Sequence, residues 1–141
     1  MREVEIRTKL VEITESLDIV MDNLPEDLGE FISLGLIKDG IYKRLEFCIE
    51  NIFDICAIIN SDLKLGIPEA DESIVDNLVR SGILAVEWKE RLRGMKAFRN
   101  IMVHRYGRID DRIAFSLIGE RTDDLHLFIE EIEDLLSKRD R

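Results

Sequence analysis

A chain of 141 residues, 45% hydrophobic and 35% charged, carries enough apolar material to bury a core as one domain, residues 1–141, without disulfide or metal staples. No window approaches the ~20 uninterrupted apolar residues a membrane helix needs, and the charged start Met1-Arg2-Glu3-Val4-Glu5 does not read as a signal peptide. The cytoplasm is therefore the expected compartment, with no membrane partner, and the net charge of −10 weighs against a uniformly nucleic-acid-coated surface.

Apolar residues recur at helical spacing almost throughout. Ile6, Leu10, Ile13, Leu17, Val20, Met21 and Leu24 define a first helix that Pro25 interrupts. A shorter segment with Leu28, Phe31, Ile32 and Leu36 follows and is expected to end near Asp39-Gly40. The strongest stripe, Leu45, Cys48, Ile49, Ile52, Ile55, Cys56, Ile59 and Leu63, predicts a buried central helix stopping before Gly66-Ile67-Pro68. Asp71-Glu72-Ser73 opens a short helix through Ile74 and Leu78, which Gly82 closes. Leu84, Trp88, Leu92, Met95, Phe98 and Met102 mark the next helix. The last begins near Asp110 and carries Ile113, Leu117, Leu125, Phe128, Ile132 and Leu135, with Gly119 and Thr122 as weak points where it can bend. No run alternates long enough for a strand. The expected fold is all-α: an antiparallel four-helix up-and-down bundle with one or two extra short helices.

Charge is distributed unevenly along this frame. Between Glu87 and Arg112 lie eight basic residues (Lys89, Arg91, Arg93, Lys96, Arg99, Arg105, Arg108, Arg112) and four acidic ones, a local +4 against −14 for the rest. Such a segment fits an anion-binding site, and equally a solvated face of mixed sign. Within it stands Arg99-Asn100-Ile101-Met102-Val103-His104-Arg105-Tyr106, an R-x4-H-x-Y string followed by Gly107.

On an ideal helix Arg99 lies inside the apolar stripe, one turn after Met95, where a merely solvated arginine would not be placed. His104 is then rotated about 140° from Arg99, whereas Tyr106 returns to its side. Arg99 and His104 converge only if the helix unwinds ahead of Gly107 or a second copy completes the site across a two-fold axis. For RNA cleavage His104 is the candidate general acid/base and Arg99 the permanent cation on the phosphate. No metal is needed, because the adjacent 2′-OH attacks intramolecularly. Asn100 is a candidate to orient the imidazole or touch phosphate; Tyr106 can pack at the helix end, stack a base or receive a nucleotide.

Other residues offer less. Glu46, Glu50 and Asp54 recur every four residues, but no histidine completes a di-metal set, so a solvated or arginine-pairing face is expected, with one of these acids a candidate to orient Arg99. Cys48 and Cys56, about 12 Å apart on one helix, are read as reduced core residues. His126 reads as a surface residue, and neither a cofactor nor a metal site is expected.

The R-x4-H-x-Y string, its lead-in Leu92-Arg93-Gly94-Met95-Lys96-Ala97-Phe98 and the segment Tyr42-Lys43-Arg44-Leu45-Glu46 resemble the HepT family, the HEPN-type toxins of HepT–MntA toxin–antitoxin pairs. The resemblance implies a HEPN-like bundle, a homodimer whose two motifs line one cleft, and metal-independent endoribonuclease activity. It also implies an MntA-like minimal nucleotidyltransferase antitoxin that transfers AMP from ATP onto Tyr106. The alternative is a non-catalytic substrate-binding or accessory subunit of such a nucleotidyltransferase.

Overall fold

The computed structural model describes residues 1–103 and 108–139. Its described residues form α1 (Glu3–Asn23), α2 (Leu28–Ser33), α3 (Leu36–Asp62), α4 (Asp71–Arg80), α5 (Trp88–Met102) and α6 (Asp111–Arg139). Four long helices and two short ones were the expectation, and the all-α bundle has that composition.

The centre of the fold is α3, because its apolar stripe is broad and only one charged face, carrying Lys43, Glu50 and Asp54, is left to solvent. Ile41, Leu45, Cys48, Ile49, Ile52, Ile55, Cys56 and Ile59 are all buried, and α3 packs against each of the other five helices. Both cysteines are free and buried, and burial pushes each thiol up to about 12. They are core side chains with the nucleophilic thiolate suppressed at neutral pH.

Local chemistry sets the helix ends. Leu24 is extended before Pro25, whose ring disfavours a helical neighbour, so α1 stops at Asn23. Asp27 caps α2 by accepting from the Glu30 N–H at 2.8 Å. The break between α2 and α3 differs from expectation: it falls at Gly35 (φ +60°), and Asp39-Gly40 lies inside α3. Glycine alone takes that left-handed conformation without a β-carbon penalty, whereas Gly40 can be absorbed in a long helix. Leu36 and Ile32 consequently face outward rather than joining the core stripe. Gly82 (φ +76°) closes α4 as expected, and Leu84 is buried but precedes α5. Asn60 ties the α3–α4 loop by donating to the Gly66 carbonyl at 2.9 Å, and Asn77 donates to Asn60 at 3.0 Å. Through Gly119 and Thr122 α6 stays helical, the Thr122 hydroxyl bonding to the Gly119 carbonyl at 3.0 Å.

Where α5 meets α6, Arg121 lies against the backbone of Gly94. A β-carbon at Gly94 would fall on the guanidinium, 2.7 Å from Cζ. That guanidinium is committed: Nη1 donates to Asp124 at 3.0 Å, and Arg91 approaches the other carboxylate oxygen at 3.8 Å while lying over the Trp88 ring at 5.0 Å. Burial drives the Asp124 carboxyl above its ordinary value, against the pull of the two arginines. Gly94→Ala should therefore destabilise the protein by about 1–3 kcal/mol despite alanine's better helix propensity, since the methyl displaces a partly buried ion pair. Urea unfolding measures this; a stabilised variant would show that Arg121 yields freely.

Candidate active site at the end of α5

Helix α5 buries Trp88, Leu92, Met95, Phe98 and Met102 on one stripe, which carries its last turn against the core. Arg99, which its phase places inside that stripe, is half-buried. Its guanidinium lies over the Phe53 ring of α3, 5.9 Å from the centroid, with Phe53 itself only 8% exposed. A cation over an aromatic face at this distance gains about 0.5–1 kcal/mol, and unlike a carboxylate the ring leaves the positive charge uncancelled. Among the described residues no carboxylate lies within 4 Å of Arg99.

The acidic stripe of α3 does not orient Arg99, while Glu50 and Asp54 are exposed, as the expected solvated face would be. Glu46 pairs with Lys43 at 3.6 Å and Asp54 with Lys9 at 3.7 Å, both lysines rather than Arg99. Helix phase alone could not rank these partners, because Lys43 is on the same helix turn and Lys9 arrives from α1.

The helix ends sooner than the motif does. Val103 is extended (φ −79°, ψ 129°), its N–H bonding back to the Arg99 carbonyl at 3.0 Å. The ideal-helix rotation of 140°, and the one-turn relation of Asn100 to His104, both assumed a helix continuing past Met102, so neither measures the site. Asn100 is exposed on the last turn beside Arg99. His104 and Tyr106 lie outside the described residues.

Beyond the motif the chain is fastened again. Asp110 caps α6 by accepting from the Ile113 N–H at 3.2 Å, and Asp111 reaches across to α3. There Lys38 Nζ stands 2.8 Å from one Asp111 oxygen while the Tyr42 hydroxyl donates to the other at 2.6 Å. Tyr42 is buried, edge-on to Phe31 at 5.6 Å. Burial raises the Asp111 pKa, but the Lys38 and Tyr42 hydrogen bonds outweigh it and leave the carboxyl below its ordinary value. Burial, then the same hydrogen bond, pushes the Tyr42 phenol well above its own. Sequence reading quoted Tyr42 but gave it no role, because its partner is 69 residues away.

The family model described as Ribonuclease HepT-like matches residues 13–132, most of the chain and the whole motif. The chain belongs to the HepT-like ribonuclease family. A protein from Archaeoglobus fulgidus, provisionally named an RNase, is 33% identical over 124 residues, covering 88% of this chain and 92% of the relative. The mRNA nuclease HepT of Shewanella oneidensis is 27% identical over 107 residues, 76% of this chain and 80% of that one. Among solved structures, a tri-AMPylated Shewanella oneidensis HEPN toxin in complex with MNT antitoxin superposes with a TM-score of 0.80 at 24% identity, covering 92% of this chain and 97% of that one. The cytosolic protein YutE of Bacillus subtilis gives 0.81 at 18% identity, covering 99% and 93%. These structural likenesses establish the HEPN fold. Among the described residues no helix is long and apolar enough to cross a membrane.

Loss of the Asp111 contacts should be felt mainly above the carboxylate range. A folded-state pKa below the unfolded value contributes stability that is complete at neutral pH and disappears as pH falls through the folded pKa. Asp111→Asn should cost about 1–3 kcal/mol at pH 7 and much less at pH 3, read from urea melts at both values. An equal cost at both would deny the carboxylate its part.

Proposed function

We propose that this protein is the toxin of a toxin–antitoxin pair, a homodimeric, metal-independent endoribonuclease. Arg99 binds the scissile phosphodiester, and its guanidinium stabilises charge gathering on the pentacoordinate phosphorus. His104 accepts the proton of the 2′-OH, whose oxygen attacks the adjacent phosphorus, or returns a proton to the departing 5′-oxygen. The bond formed is 2′-O–P, the bond broken is P–5′-O, and the first product carries a 2′,3′-cyclic phosphate. Asn100 supports the imidazole or the phosphate from the last turn of α5. The whole chain, 1–141, acts as one HEPN-like unit.

The observation that carries this reading is the state of Arg99. A half-buried guanidinium over Phe53, with no described carboxylate to neutralise it, is held for an external anion at the head of a motif with a histidine five residues on. Family membership supplies the reaction class.

Control follows from the same charge. An MntA-like nucleotidyltransferase antitoxin transfers AMP from ATP onto the Tyr106 hydroxyl, forming the phenolic O–P bond and releasing pyrophosphate as the phenol gives up its proton. The added phosphodiester charge and bulk then compete with RNA phosphate for the motif's cations. The HEPN toxin whose fold matches was solved tri-AMPylated with its MNT antitoxin, which supports the pairing.

Purified protein should cleave RNA but not DNA in EDTA, and His104→Ala should lower the rate by about 10²–10⁴-fold with fold and dimer intact. Parent-like cleavage by that variant removes His104 from the mechanism; an inactive parent that still binds the nucleotidyltransferase favours the non-catalytic subunit. With partner and ATP, mass spectrometry should find AMP on the parent, a loss of its nuclease activity, and no inactivation of Tyr106→Phe.

A further inference from the structure

The basic segment from Glu87 to Arg112 divides into cations that are already neutralised and cations that are not. Lys89 pairs with Asp76 at 3.3 Å, Arg91 with Asp124 at 3.8 Å and Lys96 with Asp71 at 3.7 Å, so α4 and α6 take up three of the five cations that α5 carries. Among the described residues, Arg93, Arg99, Arg108 and Arg112 have no carboxylate within 4 Å. The nearby acids do not fill that role. Glu90, one turn before Arg93, makes no ion pair with it; Asp110 is turned to the α6 backbone and Asp111 to Lys38 and Tyr42.

Position makes the unneutralised set coherent. Arg93 is exposed on α5 and shares a face with exposed Asn100, two turns on and about 10.5 Å along the axis. Arg108, in the connection just before α6, and Arg112, in its first turn, are both exposed, and α6 packs against α5. One exposed guanidinium, Arg93, thus precedes the motif and two, Arg108 and Arg112, follow it. An acidic chain of net charge −10 repels a polyanion everywhere except where such groups are left uncovered.

We propose that Arg93, Arg108 and Arg112 extend the Arg99 site into a track for the sugar–phosphate backbone of single-stranded RNA, reaching to either side of the scissile phosphate. This assignment rests on the ribonuclease reading for its substrate and adds residues outside the motif. Guanidinium contacts to phosphate read no bases, so the track gives affinity and register while leaving sequence choice elsewhere.

The test uses the full chain carrying His104→Ala, which holds substrate without cutting it, and a fluorescein-labelled single-stranded RNA 20-mer of mixed sequence. Fluorescence anisotropy gives Kd across a salt series. Each phosphate contact to a single strand contributes about 0.7 to the slope of log affinity against log salt. Adding Arg93→Gln, Arg108→Gln and Arg112→Gln together should lower the slope by about 2 and weaken binding roughly a hundredfold near 0.1 M salt. In the otherwise unmodified enzyme the same triple change should raise KM while kcat stays within about threefold. Lys89→Gln, which removes a cation already paired, should leave the slope in place. An unchanged slope and affinity in the triple variant overturns the track, as does loss of nucleotidyltransferase binding with RNA binding intact, which would make the patch a protein-docking surface. An uncut but tightly bound RNA with the parent, its affinity lost in the triple variant, would sink the ribonuclease reading and leave the track standing.

Discussion

The burial of α3 around most of its circumference is the constraint on which the molecule is built. A helix with isoleucine, leucine or cysteine at nearly every inward position can be stable in water only inside a cage of other helices, and α1, α5 and α6 form that cage with α2 and α4 as closures. The same helix supplies the supports on either side of the motif. Phe53 lies beneath Arg99 before it, and Lys38 and Tyr42 hold Asp111 after it. Core and candidate site are therefore two aspects of one helix.

Electrostatics within this frame works by commitment. Lys89, Arg91 and Lys96 near the motif are spent on neighbouring carboxylates, and the chain as a whole is acidic. What distinguishes Arg99 from Arg91, which shares its ring contact with Asp124, is an aromatic partner with no described carboxylate beside it, which positions a guanidinium without cancelling it. An arginine paired to a carboxylate would have to break that pair before meeting a phosphate, whereas one lying on a ring meets it with charge intact. Negative charge attached next to such a group is a natural means of silencing it, which is the sense of nucleotide transfer onto the motif tyrosine in the proposed control.

Much of this was legible in the sequence because helical phase is a local signal. The spacing of Leu45 through Ile59 identified the buried helix, and the place of Arg99 in the stripe of Met95 and Met102 marked it as more than a surface charge. What escaped was set by distance or by a single backbone angle. Gly35 breaks the helix where Gly40 looked the better candidate, since only one of the two adopts a positive φ. The Tyr42–Asp111 bond joins α3 to the start of α6 across 69 residues, and nothing in either neighbourhood names the other. Gly94 did leave a trace: a glycine in mid-helix costs up to about 1 kcal/mol and implies a close neighbour, here Arg121. The ideal-helix angle between Arg99 and His104 holds only while the helix continues, and α5 stops at Met102, ahead of Gly107, in line with one of the two alternatives the sequence left open.

The uncommitted guanidinium is tested most directly by the kcat of Arg99→Ala on a single RNA substrate, with its melting temperature measured alongside. The account predicts a loss of about 10²–10³-fold in kcat with Tm nearly unchanged, because the side chain stabilises charge in the reaction more than it stabilises the fold. Undiminished turnover, or a collapse of Tm that accounts for the lost activity, would contradict it.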